Sequence, residues 1–301
     1  MALFVIYIRR MSYKRSSSYV IPLVIAMALS LLACSEDEGP NRSPDAPQSG
    51  LPLFAGRVEM PALRQDPMSL FIVHQTPVDG RDVINYSLEY DCLNRHARWV
   101  AFTFYDVTAK NSGSRTDAWN DDPDVPEQYR SGREDYRGYD RGHICASNDR
   151  KFTVEANVQT FYYSNMSPQY GNFNRGIWQR LEALVQDWGR NPSLRDTLYV
   201  VKGGTIDSDH IITYTGPSSV PVPAYYYMAL VNVKKGIYSA IAFLLEHKDD
   251  YRAPYNLQDY AITVDELETF TGLDFFHNLP DACESRIEAQ LVKDNWPGLF
   301  D

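Results

Sequence analysis

Tyr139-Asp140-Arg141-Gly142-His143 is followed by Ser164-Asn165-Met166-Ser167-Pro168-Gln169 and then by Asn172-Phe173-Asn174-Arg175-Gly176-Ile177-Trp178-Gln179-Arg180-Leu181-Glu182. If the first run is extended, its side chains alternate, so Arg141 and His143 share one face and Asp140 points to the other. Gly142 has no side chain, which lets a ligand or another backbone approach the strand there. A base that works near neutral pH beside a fixed cation suited to phosphate is what phosphodiester cleavage needs. Taken alone, the tetrapeptide fits equally well an exposed strand end with a solvated Arg and a structural His.

The later run narrows the choice. Ile177, Leu181, Leu184 and Trp188 fall at helical spacing and make an apolar stripe, and Gly189 suits the stop just after it. Asn174, Trp178 and Glu182 step by four along a neighbouring stripe, so an amide oxygen and a carboxylate project from nearby parts of the helix. Such a pair can hold a hard, hydrated divalent cation. Mg²⁺ keeps several waters, so one direct oxygen from Asn174, with Glu182 gripping a metal-bound water, is chemically sufficient.

Together these motifs resemble the DNA/RNA non-specific endonucleases, the ββα-metal nucleases that include secreted bacterial nucleases and the mitochondrial endonuclease G group. The resemblance is dense over Tyr139 to Glu182 and diffuse from about Leu70 to Pro280. It implies that His143 is the general base and Asn174 the metal ligand. Glu182 then supports the metal shell, Asn165 matches the Asn of the Ser-Asn-Met-Ser-Pro-Gln run, and Arg115, ahead of Trp119, is a candidate phosphate contact. Arg141 faces phosphate charge, and Asp140 orients the strand or the metal waters. The implied activity is Mg²⁺-dependent hydrolysis of internal bonds in DNA and RNA to 5′-phosphate ends, with Mn²⁺ or another divalent cation as a substitute. One departure stands out. Relatives place an Arg one turn after the Glu, where this chain has Gln186, so a phosphate-stabilising charge is missing or comes from elsewhere. Two other readings stay open: a surface nucleic-acid-binding protein that has lost catalysis, and a narrower phosphodiesterase.

Working outward, Lys14 and Arg15 precede the apolar run Tyr19 to Leu32, which ends Leu31-Leu32-Ala33-Cys34. A charged start, a short apolar core and a small residue before the cut describe a secretory signal. The run is too short to favour a spanning helix. Leu-Leu-Ala-Cys resembles a bacterial lipobox, so residues 1–34 are expected to be a lipoprotein signal with Cys34 lipidated, anchoring an exported protein to a bacterial membrane. Met1 and Met11 both make sensible starts. Residues 35–52, acidic and then rich in Pro, Ser, Asn and Gly, read as a flexible tether.

Residues 53–301 then form one domain, with no further linker, repeat or low-complexity break. Ile84 to Tyr90 and Ala97 to Phe104 read as a strand hairpin, and Lys110 to Arg133 as a long polar loop bringing Arg115. Thr153 to Phe161 reads as a short helix. Thr197 to Val201, Ala224 to Val233 and Ile237 to Leu245 read as strands, the last two joined through Lys234-Lys235-Gly236. Thr263 and Glu266 make a capping box for a helix closed by Gly272, and Cys283, Ile287 and Leu291 give a final helix one apolar face. Scattered helices without regular βαβ alternation predict an α+β fold with a mainly antiparallel central sheet and flanking helices, and the family resemblance implies a ββα-metal catalytic motif within it.

The net charge is −10, and residues 1–34 hold four basic and no acidic residues, leaving −14 for the rest. That excludes a tight, structural DNA binder. The acidity is uneven: Glu246 to Asp301 has thirteen acidic and four basic residues, whereas Arg133 to Lys151 has five basic and four acidic. An acidic body with a near-neutral cleft suits an enzyme that must release product, with metal adding positive charge. Apart from Cys34 there are Cys92, Cys145 and Cys283, with no Cys-x-x-Cys. Export permits a disulfide, and Cys92–Cys145 is the expected pair because Cys283 belongs to an apolar helix face; three buried free thiols are the alternative. His74, His96, His210, His247 and His277 have no motif context and read as structural or surface residues.

Overall fold

The computed structural model describes residues 56–300; the expected signal with Cys34 and the tether 35–52 lie outside the described residues. The elements run β1 (Ser69–Val78), β2 (Arg81–Asp91), β3 (His96–Phe104), β4 (Asp140–His143), α1 (Val154–Gln159), β5 (Met166–Gln169), α2 (Gln179–Arg190), β6 (Thr197–Gly204), β7 (Ile211–Thr215), β8 (Val220–Pro223), β9 (Tyr225–Lys234), β10 (Ile237–Glu246), β11 (Ala261–Ile262), α3 (Val264–Thr271) and α4 (Asp281–Glu288). Seven strands form one antiparallel sheet in the order β1-β2-β3-β6-β9-β10-β11. The β1–β2 turn is Asp79-Gly80 and the β9–β10 turn Lys235-Gly236, and all four residues sit at positive φ, as tight two-residue hairpin turns require.

Both faces of this sheet are buried. Alternate residues of β9 divide between them: Tyr226, Met228 and Leu230 pack on one face with Phe173, Trp178, Leu181 and Leu184, while Tyr227, Ala229 and Val231 pack on the other with Val264, Leu267, Cys283 and Ile287. The sheet is therefore the middle layer, with α2 against one face and α3 and α4 against the other. Its inner strands read as near-continuous apolar runs because neither face meets water.

Beside the sheet, β4 and β5 make a small antiparallel pair, with Arg141 opposite Pro168, Gly142 opposite Ser167 and His143 opposite Met166. The pair leads into α2 and completes a ββα unit. Ser167 anchors it to the sheet, its hydroxyl 2.7 Å from His96 Nε2 and 2.5 Å from the Tyr226 hydroxyl.

Several local expectations are corrected. The helix does not run regularly from Asn174: Phe173–Trp178 is a π-turn with Gly176 outside helical geometry, and α2 proper begins at Gln179. Gly189 does not end the helix but lies inside it, one residue before its end at Arg190; glycine is needed there because a Cβ would come within 2.3 Å of the Phe104 ring. The last helix ends at Glu288, short of Leu291. Cys92 and Cys145 are not bridged; both are buried free thiols. Cys92 follows the end of β2 in the seven-stranded sheet, whereas Cys145 follows β4 in the separate two-stranded pair, and a bridge needs Cα atoms within about 7 Å.

Candidate active site

Alternation along β4 separates its side chains as the extended reading required. The Arg141 guanidinium lies 3.7 Å from the centroid of the Trp119 ring, and the His143 ring meets the same indole at 5.4 Å. Arg141 and His143 thus share a face, and Trp119 is the wall they share. Phe161 closes the other side of the imidazole, T-shaped at 4.8 Å, and carries Arg115 over its own ring at 4.8 Å. The loop bearing Arg115 and Trp119 is stitched to the segment before β5 by a parallel bridge between Asn120 and Tyr162. Arg115 stays exposed and also pairs with Asp117 at 2.7 Å.

Burial holds the His143 pKa down to about 3, helped by the positive charges of Arg115, Arg141 and Lys202 and opposed by Asp149. The imidazole is therefore neutral at physiological pH, the form that accepts a proton. Its Nε2 is sealed in the interior without a partner among the described residues. Nδ1 is then the ring nitrogen placed to meet the cleft.

On the opposite face of β4, Asp140 Oδ2 accepts a hydrogen bond of 3.0 Å from Asn174 Nδ2 and pairs with Arg175 Nε at 3.3 Å. This contact fixes the Asn174 amide with its nitrogen toward Asp140, so the Oδ1 oxygen is directed elsewhere. The Asn174 amide oxygen and the Asp140 carboxylate hydrogen-bonded to the same amide are a pair of hard oxygen donors, the chemistry that suits a hydrated Mg²⁺ or similar ion.

Glu182 sits deeper. Its Oε1 lies 3.2 Å from the ammonium of Lys202, which is itself 2.7 Å from Asp149 Oδ2. Burial pushes the Glu182 pKa up, against the pull of Lys202, and the two carboxylates together hold Lys202 charged. Gln186 joins this cluster: its Nε2 donates to Asp149 Oδ1 at 2.8 Å and its Oε1 accepts from Asn148.

Asn165 is fully buried and its side chain is committed to backbone. Oδ1 accepts from Cys145 N at 2.8 Å, while Nδ2 donates to the carbonyls of Cys145 and Thr160 at 2.9 and 2.8 Å. It braces the chain just beyond His143. The room at Gly142 is likewise taken, not by a ligand or a backbone but by the Gln169 side chain, 2.1 Å from where a Cβ would stand. Among the histidines without motif context, His96 and His247 are buried, their pKa values lowered to about 4. His74 ties β1 to the polar loop, its Nε2 being 3.0 Å from Asp122, which also accepts from Ser164.

Of the residues singled out from sequence, the structure gathers His143, Arg141 and Arg115 around Trp119 and Phe161, and sets Asp140 with Asn174 on the opposite face of β4. Sequence reasoning missed Trp119 and Phe161, and Lys202 and Asp149. Lys202 had a signal: Leu198, Val200 and Lys202 alternate onto one inward face of β6, and a lysine there demands a buried partner.

The pattern of the family described as DNA/RNA non-specific endonuclease matches residues 69–282. The mitochondrial nuclease EXOG of Xenopus laevis is 29% identical over 228 residues, covering 71% of this chain and 63% of the frog protein. Nuclease C1 of Cunninghamella echinulata var. echinulata is 32% identical over 221 residues, 67% of this chain and 86% of the fungal one. A chain from the crystal structure of the EndoG/EndoGI complex superposes with a TM-score of 0.57 at 24% identity, covering 69% of this chain and 88% of that one. The matched region holds the whole ββα unit, the Trp119 wall and the Asn174 turn, and on it the chain belongs to the DNA/RNA non-specific endonuclease family.

Proposed function

We propose that this chain is a divalent-metal-dependent endonuclease that hydrolyses internal phosphodiester bonds of DNA and RNA, leaving 5′-phosphate ends. The observation that carries the reading is the shared face of β4, where a neutral, deeply seated imidazole stands beside an Arg141 guanidinium held flat on Trp119. His143 accepts a proton at Nδ1 from the attacking water as its oxygen bonds to phosphorus and the P–O3′ bond breaks. Arg141, with Arg115 across the Phe161 ring, stabilises charge gathering on the non-bridging oxygens. Asp140 and Arg175 hold the Asn174 amide in place, and Glu182 lies on the helix behind it. Asn174 would hold the divalent cation, which when bound would supply charge stabilisation to the phosphoryl and leaving oxygens. Nothing here reads a base edge or a 2′-hydroxyl, so both nucleic acids are substrates. Plasmid DNA and total RNA incubated with and without EDTA test this. Metal-dependent loss of both supports it, and intact nucleic acid at saturating Mg²⁺ and Mn²⁺ refutes it.

The N-terminal residues support a placement. With Leu31-Leu32-Ala33-Cys34 as a lipobox, the enzyme is exported and held to a bacterial membrane by lipid on Cys34. Cys34→Ser should abolish lipid labelling and release the protein from membranes; unchanged fractionation would remove the proposal.

A further inference from the structure

On the face of the sheet away from α2, the first and last turns of two helices bring carboxylates together. Asp265 stands at the start of α3, Glu268 one turn later, and Glu288 at the last position of α4. One oxygen from each of the three lies within 4.8 Å of the others. Glu284 and Asp274 add negative charge to the same surroundings. No lysine or arginine salt-bridges to any of these five among the described residues.

Acidic surface clusters are common, but Glu288 is not on the surface. It is 4% exposed, its Oε1 has no hydrogen-bond partner among the described residues, and one of its carboxylate oxygens lies within 4.8 Å of oxygens of Asp265 and Glu268. Its position makes the burial worse, because the C-terminal end of a helix is the negative end of its dipole. A buried carboxylate placed there, beside two others and without a cation, is costly unless something compensates it. Glu268 is held in place for a ligand, its Oε1 fixed by the Phe275 N–H at 2.7 Å and its other oxygen left over.

We infer that Asp265, Glu268 and Glu288 form a calcium-binding site that clamps the start of α3 to the end of α4. Calcium suits the set better than magnesium. It takes six to eight oxygens in irregular geometry and accepts several carboxylates, whereas Mg²⁺ keeps most of its waters and an octahedral shell. The role is structural, since the cluster lies across the sheet from His143 and touches no residue of the cleft.

Thermal unfolding of the full chain, stripped with EDTA and returned to Ca²⁺ or Mg²⁺, tests the site. At about a hundredfold excess over its dissociation constant, Ca²⁺ should raise the wild-type midpoint by about 5–10 °C. The same rise should appear in Asn174→Ala, whose cleft site is disabled, and vanish in Glu288→Gln. Asp265→Asn, at an exposed position, gives the same reading if the buried substitution disturbs folding. No rise with Ca²⁺ up to about 10 mM, above the weak end of protein calcium sites, would mean the carboxyls are simply held protonated. A rise that survives Glu288→Gln and Asp265→Asn would place the ion elsewhere; either result overturns the site.

Discussion

Lys202→Met isolates the buried charge cluster behind His143. The Lys202 side chain is fully buried, and its ammonium lies 2.7 Å from Asp149 and 3.2 Å from Glu182, themselves 0% and 12% exposed. At an effective dielectric of about 20 the two attractions amount to roughly 6 and 5 kcal/mol. Most of that is offset by stripping water from three ions, so the wild-type cluster adds little net stability. Removing the ammonium is a different matter, because two carboxylates then remain buried against each other. The expected loss is about 3–5 kcal/mol, read from urea unfolding as a fall in midpoint at unchanged slope. The deficit should also depend on pH. Without Lys202, whose charge opposes it, burial holds the Glu182 proton further above its unfolded pKa, so the folded state binds more protons than the unfolded chain. The deficit is then full above the raised folded value and shrinks as pH falls toward the unfolded carboxylate range. Lys202→Met combined with Glu182→Gln should recover part of the loss at neutral pH. A single-variant deficit under about 1 kcal/mol, or one that does not change with pH, would refute the reasoning.

The catalytic assignments make separable claims. His143→Ala should lower turnover by about 10²–10⁴ while leaving DNA binding intact. Asn174→Ala should first raise the Mg²⁺ concentration needed, so that excess metal restores part of its activity and none of that lost in His143→Ala; rate against Mg²⁺ for both variants separates the roles. With His143 held down to about 3 by burial and its cationic neighbours, activity is lost only as pH falls through that depressed value. The acid limb of kcat/KM should therefore lie well below 6.5, and Arg115→Ala, removing a positive neighbour, should move it upward; a wild-type limb at 6.5 contradicts the burial argument. Gly142→Ala drives a methyl into the buried Gln169 side chain and should cost about 1–3 kcal/mol in urea unfolding, with partial recovery on adding Gln169→Ala.

What the sequence made legible was local. The alternation of Asp140 to His143, the Thr263–Glu266 cap and the hairpin at Lys235-Gly236 all follow from periods and turn chemistry within a few residues. Asp79-Gly80 carried the same turn signal, and β1 could have been read from it. The helix start was misread because the four-residue step from Asn174 to Trp178 reads as α-helical in the sequence, while the chain there forms a π-turn with Gly176 outside helical geometry. The wall of the site was illegible for a further reason. Trp119 and Phe161 meet His143 only through a loop bridge, and no periodicity links residues so far apart. The disulfide failed likewise, since export permits a bridge but only the strand register decides whether two thiols can meet.

Gln186, which departs from the Arg of relatives, makes sense once its neighbours are counted. A neutral amide can donate to Asp149 and accept from Asn148 together, and Gln186 does both. An arginine there has no acceptor to offer Asn148, and it would set a second buried cation beside Lys202, which Asp149 and Glu182 already partner. Positive charge is present all the same, one helical turn further on. Arg190 donates to the Asn148 carbonyl and feels Asp149, its guanidinium 5.8 Å from the Phe104 ring. Cation and amide have thus divided between Lys202, Gln186 and Arg190 what a single arginine would have to combine. The substitution is consistent with an intact cluster behind His143, and it gives no support to a chain that has kept the fold and lost the chemistry.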